Sequence, residues 1–349
     1  MSKTRLVTII CTCISAIALT GLVIWFLVAQ PWGGGFGGFG LRVNIGGIGG
    51  FNIENLSGPF QAAGSHSVAS EGINAFEIDW VAGEVEIIPH GGLDIIITEF
   101  AQRDLADNER FGVSVPGDGS VVISFVQYRG AFRRLPPKRL EVLVPQSIAQ
   151  DLVRLSVETT SAQINISDIS ALDFSTSSVS GVHEISNANA PTFRAGSISG
   201  RMEISGVAAQ DFRASSVSGR ITLNNVTGDG VNVNSTSGSL ELRNVNAGLL
   251  DTGSVSGTQE LSGAFVRVDS TGTSGRVSIQ SSIVPEFLNI STVSGRVEVT
   301  VPDDGNPISV SHSSVSGRFS SELPVLMHGA DTQFRISTTS GNISIYELR

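Results

Sequence analysis

The chain of 349 residues contains 40 glycines and 12 prolines, with 15% charged and 40% hydrophobic residues, a balance that excludes a disordered polymer and allows one or two domains with a real core. Aromatic residues make up only 6%, while Ser, Thr, Val, Ile and Gly crowd the second half, which predicts an all-β fold. The formal net charge of −10 argues against nucleic acid as a partner.

The first element comes after a five-residue N-terminus, 1–5. Residues 6–29, LVTIICTCISAIALTGLVIWFLVA, hold no charge. As a helix this run rises about 36 Å, enough for a bilayer core of ~30 Å. Lys3 and Arg5 precede it and no charge follows until Arg42, which predicts a single-pass anchor in the cell membrane with a cytoplasmic N-terminus and an extracytoplasmic remainder. Trp25 and Trp32 suit the outer interface. The run is longer than the apolar core of a signal peptide and no small-x-small cleavage site closes it. Both cysteines, Cys11 and Cys13, fall inside it, so the outer domain has no disulfide.

Residues 30–70 form a tether by composition, glycine-rich above all in PWGGGFGGFGLRVNIGGIGG at 31–50. The G-x-G-x-x-G match from Gly35 to Gly40 has no strand before it and no helix after it, so it carries no nucleotide-binding meaning. Residues 71–150 are expected to be irregular β-structure that covers the N-terminal edge of the repeats in 151–349, with alternating runs FGVSV, SVVISF and RLEVLVP. Within it FEIDWVAGEVEII, Phe76 to Ile88, has the frame of a divergent first repeat.

From 151 to 349 one word recurs. Gly181, Gly200, Gly219, Gly238, Gly257, Gly275, Gly295, Gly317 and Gly341 each follow a Ser, at spacings of 19, 19, 19, 19, 18, 20, 22 and 24, and Ala162 takes the same place one period earlier. Seven residues before this position every copy is apolar, as in Phe174, Phe193 and Phe212; two before it every copy is β-branched, as in Val179, Ile198 and Val217. After it the second and fourth residues are mostly apolar, as in Met202 and Ile204. A period near twenty with alternation inside it predicts a β-solenoid of about ten coils, each with at least two short strands and a Ser-Gly corner. Ten coils stacked at ~4.8 Å would make a rod of about 48 Å. The apolar positions at minus seven and minus two differ in parity, so a bulge is expected between them that buries the β-branched residue and exposes the Ser before Gly. The far edge, after the last repeat, is expected to be guarded by Glu347 and Arg349.

The pairing of FEIDWVAGEVEIIP with a downstream RLEVLVP and serial SVSGRVEV-type repeats resembles the bacterial putative-adhesin family of β-strand-repeat envelope proteins, a domain of unknown function. The resemblance covers roughly residues 71–349 and implies a right-handed β-helix, often behind one membrane helix, with some members tied to envelope stress. It implies no catalytic residues. Ala at 162 and 82 departs from the pattern at two corners.

Enzymes built on β-helices that cleave acidic polysaccharides need clustered carboxylates. Three residues after the corner stand Glu184 and Glu203, Glu241 and Glu260, and Glu298; Asp173 and Asp211 share another register. None forms a converging trio, and Arg201, Arg220, Arg276, Arg296 and Arg318 offset the glutamates. His66, His90, His183, His312 and His328 have no metal-ligand spacing. The run YRGAFRRLPPKR at 128–139 is either a solvated hairpin loop or, through Arg129, Arg133, Arg134, Lys138 and Arg139, a surface for anionic headgroups or cell-wall polymer. The sequence thus predicts no cofactor, no metal and no catalytic site. It points to a membrane-anchored, non-enzymatic adhesin-like or scaffold protein of the bacterial cell envelope, whose partner is cell-wall polymer, polysaccharide or another envelope protein. A regulatory component of an envelope stress response and a polysaccharide-acting β-helix enzyme are the alternatives.

Overall fold

A computed structural model describes residues 53–54, 58–126, 135–326 and 332–349. The apolar segment 6–29 and the glycine-rich stretch 31–50 lie outside the described residues, among which no helix is long and apolar enough to cross a membrane.

Among the described residues the chain is all-β, broken only by two short helical turns, Asp107–Glu109 and Gln146–Ala149. The first seven strands are β1 (Gln61–Ala69), β2 (Ala75–Trp80), β3 (Gly83–His90), β4 (Asp94–Ala101), β5 (Gly112–Ser114), β6 (Ser120–Ser124) and β7 (Lys138–Pro145). Gln61–Ala69, placed in the tether by composition, is therefore a strand, paired antiparallel along β4. The regular repeats supply β8 (Leu152–Thr159), β9 (Gln163–Ser167), β10 (Ala171–Ser178), β11 (His183–Ser197), β12 (Met202–Ser216), β13 (Ile221–Ser235), β14 (Leu240–Ser254) and β15 (Gln259–Ser274). After them come β16 (Val277–Ser281), β17 (Phe287–Ser294), β18 (Val297–Val301), β19 (Ile308–Ser316), β20 (Phe319–Ser321), β21 (Val325–Leu326), β22 (Gln333–Ser340) and β23 (Ile343–Glu347).

From β8 to β14 each repeat lies parallel on the next with a 19-residue offset: Ile204 pairs with Ile185 and Leu223, and Phe212 with Phe193 and Val231. Identical positions therefore form columns. Counted from the corner glycine, the inward columns are plus two, plus four and plus seven (Met202, Ile204, Val207), then minus seven, minus five and minus three (Phe212, Ala214, Ser216), all buried. Each fully buried Phe or Val contributes about 1.5–3 kcal/mol. Phe174, Phe193 and Phe212 stack at 4.8 and 4.9 Å between ring centroids, which is the inter-strand spacing itself.

Alternation runs unbroken from minus seven to minus three, and the expected bulge before the β-branched residue is absent. Ile198, two before Gly200, is 37% exposed, so the β-branched column is not core. The buried residue is the hydroxyl one position earlier. Ser216 Oγ accepts the N–H of Gly219 at 2.8 Å, and Ser197, Ser235 and Ser254 do the same for Gly200, Gly238 and Gly257. The Ser directly before Gly is exposed and donates back to the preceding repeat, as Ser218 does to the Ile198 carbonyl. A second corner stands six residues after the first. There Asp168, Asn187, Asn225 and Asn244 take φ of 52–59° and Gly206 takes 64°, a region that short polar residues and Gly tolerate best.

The order of repeats in the stack differs from their order in the chain at both ends. β2 and β3 lie between β6 and β7 on one side and β8 and β9 on the other. At the far end β22 and β23 insert between β17 and β18, on one side, and β19 and β20, on the other. The outermost level is therefore β19 and β20, with β21 paired beyond β19 only at Ile308 and Ser309. Glu347 and Arg349 belong to the penultimate level and do not guard the edge. At the near end β4 pairs antiparallel with β7 and β5 with β6, and β1 pairs in turn along β4, so antiparallel strands cover the parallel stack there and β1 and β5 become the outermost strands.

Candidate binding face

Strands β2, β6, β8, β10, β17, β19 and β22, with the C-terminal halves of β11 to β15, present one lateral face. Its outward columns lie eight, six and four residues before the corner. At the near end Glu158 stands opposite Asp79, and its carboxyl is pushed up by burial, then by Asp79 and Glu77. Next, Arg194 pairs with Asp173 at 2.6 Å and Arg213 with Asp211 at 2.9 Å. Beyond them Asp251 and Asp269 are directly opposed. Asn232 donates to Asp251 at 2.8 Å and Asn289 to Asp269 at 2.9 Å, while burial and then the Asp269 charge raise the Asp251 pKa.

The face then changes sign. Arg267 pairs in register with Phe287, and Arg335 lies diagonally beyond it. Both guanidiniums lie over the half-buried ring, 5.2 and 5.5 Å from its centroid. Among the described residues neither has a carboxylate within ion-pair distance; Arg335 only reaches Gln333 at 3.5 Å. The adjoining column carries Thr271, Ser291 and Ser337, all exposed. No periodic reading of the sequence finds this platform. It needs Arg335 beside Phe287, and stacking in chain order places β19 there instead.

The carboxylates singled out in the sequence lie where their offsets put them but do not converge. Glu184 and Glu203 are register neighbours, as are Glu241 and Glu260. Glu203 pairs with Arg201 at 3.3 Å, Glu241 with Arg243, and Glu298 with Arg296 at 3.5 Å. Asp173 and Asp211 are each engaged by arginine. Among the described residues no three His, Cys, Asp or Glu could hold a metal.

The histidines are scattered. His183 is fully buried between Thr176 Oγ1 at 3.1 Å and Ser178 Oγ at 2.8 Å, and burial pushes its pKa down to about 4. His90 reaches the Asp94 carbonyl at 2.8 Å, His312 stacks on Phe319, and His66 is exposed on β1. His328 lies outside the described residues, as do Arg129, Arg133 and Arg134.

Two members of the basic run do not serve a ligand surface. Lys138 is 0% exposed: its Nζ donates to Glu99 at 2.6 Å, to the Glu109 carbonyl at 2.8 Å and to the Phe125 carbonyl, and lies over the Phe125 and Trp80 rings. Burial lowers its pKa to about 8, and burial raises that of Glu99. Arg139 is clamped by Glu86 at 2.6 Å and Glu141 at 3.0 Å and stacks on Phe100. Both hold the antiparallel cover onto the stack.

The Toastrack DUF4097 family model matches residues 120–246 and 206–346, together more than half of the chain. The chain belongs to this family. The two matches overlap, as a repeated motif allows. Among solved structures the chain is similar to a "putative cell adhesion protein" from Clostridium sporogenes, with 11% identity over 83% of this chain and 100% of that one and a TM-score of 0.22. It is also similar to a "putative adhesin" from Parabacteroides merdae, with 10% identity over 81% and 95% and a TM-score of 0.34. No curated protein matches.

Proposed function

We propose that this Toastrack domain is a non-enzymatic, adhesin-like binding scaffold, a right-handed β-solenoid that takes an anionic polysaccharide of the bacterial cell envelope on its lateral face. Residues 6–29 anchor it in the membrane with the N-terminus in the cytoplasm. The observation that carries the ligand class is the Arg267–Phe287–Arg335 platform. Elsewhere on this face Arg194 and Arg213 are committed to carboxylates, whereas these two guanidiniums are held over a ring with no carboxylate partner among the described residues. Guanidinium forks suit carboxylate or phosphate groups, and a half-buried aromatic ring offers an apolar seat for a sugar face. Thr271, Ser291, Ser337 and Asn289 supply hydroxyl and amide groups beside it.

The test is co-sedimentation and calorimetry of the full chain in mild detergent with polygalacturonate and a neutral glucan. The acidic polymer should bind and the neutral one should not. Arg267→Gln with Arg335→Gln should weaken binding about tenfold or more at unchanged melting temperature. Equal binding by the double variant overturns the assignment.

A further inference from the structure

Among the described residues, two carboxyls beside the Arg267–Phe287–Arg335 platform stand outside any ion pair. Asp251 on β14 and Asp269 on β15 are directly opposed, one strand spacing apart, and both are half-buried. The amides around them all donate toward the pair: Asn234 to Asn232 at 2.6 Å, Asn232 to Asp251 at 2.8 Å and, from the other side, Asn289 to Asp269 at 2.9 Å. Two acceptors therefore face each other, and among the described residues no donor stands between them. A proton supplies that donor: with one carboxyl protonated, the pair can close its own hydrogen bond and carries a single charge. Burial and then the Asp269 charge raise the Asp251 pKa, the direction this requires.

Arg267 carries a second observation. Arg139, Arg201, Arg213, Arg243 and Arg296 each pair with the carboxylate two residues away on the same strand. Arg267 and Asp269 have that spacing on β15, yet the guanidinium lies over Phe287 instead. Few charges face the pair. β13 sets Gly230, Asn232 and Asn234 beside Asp251 and its strand neighbours, and β17 sets Phe287, Asn289 and Ser291 beside Asp269 and its own. β14 and β15 add Leu249, Gly253, Thr271 and Arg267. Arg213, already paired with Asp211, and Arg335 stand one strand beyond the two asparagines.

We propose that the Asp251–Asp269 pair is a proton switch for the platform. Sharing one proton, it leaves Arg267 over Phe287 and free for an anion. Losing that proton to water doubles the charge of the pair, which draws Arg267 onto Asp269 and repels an anionic polymer. Binding is strong on the acid side and falls as pH rises through the raised Asp251 pKa, above the ordinary carboxylate value. The effect on ligand rests on the platform reading given above; the titration of the pair does not.

Two measurements on the full chain in mild detergent keep these apart. Difference acid–base titration of wild type against Asp251→Asn with Asp269→Asn should show two protons, the last leaving well above the ordinary carboxylate value of about 4. Dextran sulfate, whose charge is fixed over this range, should bind wild type about tenfold more weakly at about pH 7.5 than at about pH 5. The double variant, at unchanged melting temperature, should differ by about twofold at most between the same two conditions. Both protons leaving in the ordinary carboxylate range overturns the switch, and so does equal pH dependence of binding in wild type and variant. Binding that is absent at every pH, or unaffected by Arg267→Gln with Arg335→Gln, overturns the platform reading instead, and the titration still decides the switch.

Discussion

The Cα of Gly219 packs against the carbonyl of Gly200, and the same contact recurs at Gly200, Gly238 and Gly257, so a methyl group at any of them has to push two repeats apart. Ala162 is accommodated because the corner beneath it turns differently, with Gly83 at a φ of 105°. Gly219→Ala should therefore cost about 3 kcal/mol in a urea melt, close to Gly219→Val, because the first carbon already overlaps backbone. The minus-seven, plus-two and plus-four columns were legible in the sequence because their residues are apolar. The minus-three column was not, since Ser is ordinarily a surface residue and only the bond to the Gly N–H makes its burial affordable. The Asp168, Asn187, Gly206, Asn225 and Asn244 column carried a signal in its shared tolerance of positive φ. His183 sits in the buried plus-two column with its pKa lowered to about 4 from an ordinary 6.5. The unfolded chain takes up the proton first, so stability is whole above pH 6.5 and falls by about 3 kcal/mol as pH drops from 6.5 to 4. His183→Met, the residue type of the next repeat, should flatten thermal stability over that window; an unchanged pH slope would mean that another group sets it.

Strands β4 and β7 are joined by the Lys138–Glu99 pair as well as by their ladder, and the pair has no access to water on either side. A lysine in a run of arginines looks like surface, and alternation along KRLEVLVP gives position 138 the inward parity only once the strand is known to begin there. Three acceptors and two rings around Nζ replace its hydration. Removing one partner leaves the other charge buried alone, and this asymmetry dominates the energetics. Lys138→Met should cost about 3–5 kcal/mol, and adding Glu99→Leu should recover most of that loss. Double-mutant analysis by chemical denaturation checks it; additive losses would mean that the cover is held by its backbone ladder and that the pair contributes nothing of its own.

At the level of the whole molecule, the period in the sequence predicted which residues share a column but not which repeats are neighbours. Adjacent copies in the chain are interchangeable by pattern, and β22 and β19 offer the same hydroxyl and apolar positions to β17. What sets the order is the path of the connections, and residues 302–307 and 322–332 carry no repeat signal. The inversion makes truncation behave against intuition. Ending the chain at residue 331 removes β22 and β23, the level between β17 and β19, and strips β19 and β20 of their main parallel partners. Ending it at residue 301 removes that whole terminal group and leaves β17 and β18 as a clean edge. In a repeat stack each level is stabilised by its neighbours, so the shorter protein should be the better behaved. Limited proteolysis should cut the 1–331 form between Val301 and residue 331 while leaving the 1–301 form resistant, and the melting temperature of 1–331 should not exceed that of 1–301. A 1–331 form as protease-resistant as the full chain would mean that β19 can dock directly on β17, and that the order of the last two levels is a matter of chain path and not of side-chain fit.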